Sequence, residues 1–140
     1  MIIKIIVGTP GAGKSFLANE LSQKFPSIVV DDPFNFDEIR NAIQAALDTD
    51  PSMCVIICDC FMCELRLRNK AIDKIQKEFP DVAFDFIYYF FENNPDQCRA
   101  NARYRNDDRN VEGSIRRFSQ SYHIPDDVVP IMVWKSPSSN

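Results

Sequence analysis

Gly8-Thr9-Pro10-Gly11-Ala12-Gly13-Lys14-Ser15 follows an apolar run at 2–7, broken only by Lys4, and precedes a segment with apolar residues at helical spacing. The octapeptide fits G-x-x-x-x-G-K-[S/T], a phosphate-loop pattern that demands a strand before it and a helix after it. Glycines let backbone N–H groups turn inward around phosphate oxygens. The following helix adds unpaired N–H groups and the positive end of its dipole. The pattern predicts that Gly8, Thr9, Pro10, Gly11, Ala12, Gly13, Lys14 and Ser15 cradle ATP or another nucleoside triphosphate. Lys14 would reach the β- and γ-phosphates, and the Ser15 hydroxyl would hold Mg²⁺.

Outward from the loop, strand and helix signals alternate. Strands are expected at 2–7, 27–30, 53–58, 82–91 and 130–134. Helices are expected at 14–25, stopped by Pro26, and at 36–47, 64–79 and from Asn94-Pro95 onward, where an N-cap precedes proline at the first helical position. An arginine-rich stretch from Arg99 breaks near 106–113 and resumes as a fifth helix ending around Tyr122. Such alternation predicts a three-layer α/β domain over 1–135, with a mainly parallel five-stranded sheet, helices on both faces and a polar tail at 136–140. Ligands bind at the carboxyl ends of such strands. There the sequence places the glycine loop, then Asp31-Asp32, then Asp59.

The chain has 140 residues, 45% apolar and 26% charged, as in an ordinary globular domain. Its net charge of −4 gives no overall attraction for nucleic acid, so any polyanion site must be a local basic patch. The five cysteines are odd in number, and Cys58 and Cys60 are poorly placed to pair on a strand. They read as reduced, buried thiols of a cytoplasmic protein rather than as zinc ligands. No stretch approaches the length of a membrane span, and the loop begins too early for a signal-peptide layout.

A carboxylate beside a γ-phosphate can hold Mg²⁺, orient an acceptor hydroxyl and take its proton, or simply cap a turn. Asp31, Asp32 and Asp59 are candidates for these roles. Six of the nine arginines fall between 99 and 117: Arg99, Arg103, Arg105, Arg109, Arg116 and Arg117. Arg99 and Arg103 share a helix face and fit a lid, about 99–113, that neutralises phosphate charge and excludes water. For Arg116 and Arg117 a solvated surface and a ligand role are equally compatible with the sequence.

These motifs resemble those of small phosphate-loop kinases of the polynucleotide-kinase and zeta-toxin type, closest in pattern to bacteriophage 5′-hydroxyl kinase domains. The resemblance spans nearly the whole chain: the glycine loop, Asp31-Asp32, Val55-Ile56-Ile57-Cys58-Asp59, the helix with Arg99 and Arg103, and Ile115-Arg116-Arg117-Phe118. It implies a phosphate-loop kinase fold, with Asp31 as general base and Asp32 and Asp59 on the acceptor. Arg103 would grip the transferred phosphate, and Arg99 would lie near the nucleotide. Two departures fall on the acceptor side. Pro33-Phe34-Asn35 replaces an arginine-bearing segment, and Cys60-Phe61 stands where a small hydroxyl residue and Asn are usual.

The expected function is transfer of the ATP γ-phosphate to a hydroxyl, either of a polynucleotide 5′ end or of a nucleoside, modified base or small metabolite. The alternative of another class is a nucleotide-binding module or ATPase with no acceptor. A GTP switch is disfavoured. Gly113, the one glycine outside the loop, has Asn110 rather than Asp three residues before it. A mechanical ATPase is disfavoured because Cys60, not Glu, follows Asp59.

Overall fold

A computed structural model of the chain describes residues 1–106 and 111–137. Four strands, β1 (Ile2–Val7), β2 (Ser27–Asp31), β3 (Cys54–Cys58) and β4 (Asp85–Phe90), form one parallel sheet in the order β2-β3-β1-β4. Helices α1 (Lys14–Lys24), α2 (Phe36–Thr49), α3 (Leu65–Glu78), α4 (Pro95–Tyr104) and α5 (Glu112–Ser121) complete the α/β architecture.

The two central strands read as continuous apolar runs because both of their faces are covered. Ile3, Ile5, Val55 and Ile57 pack with Ile39 and Ile43 of α2 and Ile75 of α3. Ile6, Ile56 and Cys58 face the other way, toward Ala18 and Leu21 of α1, Cys98 of α4 and Ile115 of α5. Strand alternation thus builds a core on each face of the sheet. No described helix is long and apolar enough to cross a membrane.

The sheet has four strands rather than the expected five. Residues 130–134 make one parallel bridge, Phe91 to Ile131, in which the Ile131 N–H donates to the Phe90 carbonyl at 2.7 Å. Pro130 has no N–H to add to a ladder. Beyond Ile131 the backbone turns to other partners: the Val133 N–H donates to Glu92 Oε1, and the Trp134 N–H donates to the Ala12 carbonyl. β4 is also shorter than expected, because the Val82 N–H closes a turn onto the Phe79 carbonyl. Phe25 lies just past α1 as its C-cap, not inside the helix. A 3₁₀ turn at Cys60–Cys63, unforeseen in the sequence, joins β3 to α3. Arg109 and the middle of the expected lid, together with the last three residues of the tail, lie outside the described residues.

Arg68 of α3 fastens this 3₁₀ turn. It is 4% exposed and donates to the carbonyls of Met62 (2.8 Å), Cys63 (3.4 Å) and His123 (2.6 Å), with its guanidinium 4.7 Å over the Phe90 ring. Arg68→Met keeps the aliphatic stem but strands buried carbonyls. It should lower unfolding free energy by about 3 kcal/mol in urea titrations; an unchanged midpoint would show that water serves those carbonyls equally well.

Candidate functional site

β1 ends at Val7, and the chain turns through Gly8–Ser15 into α1. Gly11 and Gly13 adopt φ of 88° and 108°, in the left-handed region. A Cβ on Gly11 would lie 2.5 Å from the Cys98 carbonyl oxygen, so α4 packs against the bare backbone there. Gly13 caps α1 without any side-chain hydrogen bond. The first-turn N–H groups of that helix therefore have no side-chain cap at this end.

The loop is held from behind. Asn101 of α4 is fully buried and donates through Nδ2 to the carbonyls of Gly11 (2.8 Å) and Trp134. Its Oδ1 accepts from Gln97 Nε2 (2.9 Å) and from the Ser136 N–H (3.1 Å). Thr9, also fully buried, donates its hydroxyl to Cys98 Sγ at 3.1 Å. Below the loop the Tyr122 hydroxyl sits against the carbonyls of Val7 and Phe91, where β1 and β4 end. Burial pushes that phenol well above its usual range.

In front of the loop lie Lys14 and three acids, with Arg105 on the wall of the same cleft. Lys14 Nζ donates to the Thr9 carbonyl at 3.0 Å. Ser15 Oγ donates to Asp31 Oδ2 at 2.6 Å, linking the start of α1 to the last residue of β2. Asp32 follows at φ 54°, with its N–H on the Cys58 carbonyl at 2.8 Å, so β2 ends by turning over β3. Asp59 is 8% exposed, and its Oδ1 accepts from the Phe61 N–H at 3.0 Å. Burial, with the Asp32 charge adding to it, pushes the Asp59 carboxyl up to about 6 despite that hydrogen bond. Ligand atoms of Asp32, Asp59 and Cys60 lie within 4.8 Å of one another. Burial raises the Cys60 thiol to about 11, so the neutral thiol prevails near pH 7 and the hard oxygens of the two acids are the better cation donors. All five cysteines are free and buried.

A cleft of about 270 Å³ opens over this group, lined by Gly11, Gly13, Lys14, Ser15, Phe16, Asp31, Asp32, Arg105 and Trp134, with Pro10 at its rim. No family model matches the chain. It is 33% identical over 124 residues to an uncharacterized protein of Acanthamoeba polyphaga mimivirus, spanning 86% of this chain and 85% of that one. The chain belongs to the family of that mimivirus protein.

In this member of the mimivirus protein's family, the arginines distribute unevenly. Arg99 is committed to Glu112 (3.0 Å) and Asp96 (3.1 Å), tying α4 to α5. Arg103 is exposed and is not on the cleft wall; Arg105, just past α4, is. Arg117 pairs with Glu64 at 3.0 Å over the Phe118 ring, and Arg116 is exposed. Asn101, Arg105, Tyr122 and Trp134 were not among the residues expected at the site. Arg105 stood in the arginine run, but the periodicity of the run favours the shared face of Arg99 and Arg103. Nothing local marks Asn101 as a clamp.

A second cavity, also about 270 Å³, adjoins the acids. Pro33, Phe34 and Asn35 line one side, Asp59 and Phe61 the back, and Lys70 and Lys74 of α3 the other side. The capping box of α2, in which Asn35 and Glu38 exchange side-chain and backbone hydrogen bonds, fixes the Phe34 edge. Pro33-Phe34-Asn35 and Phe61 therefore border one space, and Cys60 does not.

The Asp59 shift has a testable sign. The native state binds its proton more tightly than the unfolded chain does, so this group stabilises the fold below the unfolded pKa of 3.8 and loses that contribution as pH rises through about 6. The amount is on the order of 3 kcal/mol. Urea unfolding of Asp59→Asn should show a shallower loss of stability across this window than the wild type. Parallel pH profiles would place the proton elsewhere.

Proposed function

We propose that the chain is an ATP-dependent kinase of the polynucleotide-kinase type, moving the γ-phosphate to an acceptor hydroxyl. The observation that carries this reading is the Ser15–Asp31 hydrogen bond. It brings the start of the helix behind the glycine loop against a carboxylate, with Lys14, Asp32 and Asp59 beside it. A binding module has no need of three acids next to a triphosphate, where like charge is costly.

The loop N–H groups and Lys14 bind the triphosphate, and the acceptor enters from the second cavity past Asp59. The carboxylate of Asp31 keeps one oxygen on Ser15 and offers the other to the acceptor hydroxyl. As the acceptor oxygen bonds the γ-phosphorus, its proton passes to Asp31. The bond to the bridging oxygen breaks, and ADP leaves with the electron pair. Ser15 Oγ and the neighbouring carboxylates are hard oxygen donors that fit Mg²⁺, which when bound supplies charge neutralisation to the phosphates. Trp134, Phe16 and Arg105 line the walls of the cleft. Among the described arginines Arg105 lines the cleft and is taken to meet the transferred phosphoryl group, whereas the family resemblance assigns that role to Arg103.

The test is labelled γ-phosphate transfer from ATP to 5′-hydroxyl DNA, RNA, nucleosides and small alcohols. Lys14→Ala should lower transfer about 100- to 1,000-fold, and Asp31→Asn about 100- to 10,000-fold with nucleotide binding retained. Undiminished transfer in Asp31→Asn removes it as the base. ATP binding without transfer to any acceptor favours the binding module.

The same assay separates the arginines. Arg105→Ala should reduce turnover about 100-fold or more and Arg103→Ala only slightly; the reverse order would assign the grip to Arg103 in a closed lid.

A further inference from the structure

A third cavity, about 330 Å³, opens on the α1 face of the sheet near the starting ends of the strands, far from the glycine loop. Ile2 and Lys4 of β1, Ile87 and Tyr89 of β4, and Phe25 after α1 form most of its wall. It exists because α1 stops early. Pro26 ends the helical register, and Phe25 swings into an extended conformation as the C-cap. The lower half of this sheet face is left without a covering helix.

The one cation in the first strand sits here. Strand alternation puts Lys4 on the face of Ile6, opposite Ile3 and Ile5. Lys4 as a residue is 5% exposed, and its ammonium, which makes no ion pair and no hydrogen bond with any described residue, is not sealed off but opens on the cavity. Its ammonium lies 3.7 Å from the centre of the Phe25 ring. A ring face attracts the charge but accepts no strong hydrogen bond, so whatever fills the cavity must serve the ammonium.

We propose that this cavity is a binding site for a small carboxylate with an apolar body. The carboxylate sits on the Lys4 ammonium, and the body packs against Ile2, Phe25 and Ile87. A single cation favours a monoanion. A phosphate dianion calls for the further positive charge that the loop cleft has, and no arginine lines this wall. Of the other polar wall residues, Ser52 already gives its hydroxyl to Asp50 at 2.8 Å, which leaves the Tyr89 phenol as the second donor. The site is independent of the kinase reading, since none of its residues borders the loop cleft.

The test is amide NMR titration of the full chain with phenylacetate, and with phenylacetamide as its neutral counterpart. Phenylacetate should shift the amides of Lys4, Phe25 and Ile87 and half-saturate at about one tenth the concentration that phenylacetamide needs. Lys4→Met, which keeps the stem on Phe25, should remove this preference. Equal binding of acid and amide by the wild-type protein overturns the proposal and leaves a merely apolar hole. So do shifts confined to Gly8–Ser15, or no shifts with either compound, which leave water on Lys4. The acid–amide comparison needs no variant, so it stands even if Lys4→Met folds poorly.

Discussion

One buried amide holds the site in shape. Asn101 has two donors and two acceptor positions, and all four are used: on the Gly11 and Trp134 carbonyls, and on Gln97 and the Ser136 N–H. Glycines at positive φ are free to move, so the sequence of the loop does not by itself confer a fixed shape. The Gly11 carbonyl turns back onto α4 because an amide is waiting there, while the Ala12 N–H of the same peptide closes onto the Thr9 carbonyl at 3.2 Å. The Cys98 backbone pressed against Gly11 sets the limit from the steric side. Loop, α4 and C-terminal segment are therefore one unit, although they are far apart in sequence.

The acids are placed by a different device, strand register. β2 pairs with β3 so that Asp31 lies opposite Cys58. The next residue in each strand is again an acid, Asp32 and Asp59. A parallel sheet ends its strands at one edge, so this pairing concentrates negative charge beside the loop. The fold tolerates it by keeping Asp31 on the Ser15 hydroxyl, and by burying Asp59 so deeply that it holds its proton well above the usual carboxylate range. The three acids are thus unequal, although they look alike in sequence.

Strand and helix periods, and the loop between them, were legible. β1 through β4 and all five helices lie close to where apolar spacing put them, because each buries a face whose period is local. The fifth strand failed for a reason that no local pattern carries. Residues 130–134 have the composition of a strand, but their N–H groups are claimed by Glu92 and the loop. Lys14, Ser15, Asp31 and Asp32 stand together as their motif and strand-end positions implied. Arg99 stands apart from them because a partner on α5, invisible in the spacing, took its charge. Asn101 was illegible because three of its four partners lie on the glycine loop and in the C-terminal segment, far from it in sequence.

The tie between the loop and the C-terminal segment sets an order on assembly. Most of the sheet and of its two cores comes from residues up to Tyr122, with Val133 joining the core on the α1 face. The glycine loop takes a late partner directly from Trp134, whose N–H donates to the Ala12 carbonyl, and another through Asn101, whose Oδ1 accepts from the Ser136 N–H. During synthesis, which proceeds from the N-terminus, the loop is made well before the segment that braces it. A motif encoded early in the sequence is therefore completed only by residues encoded late in it.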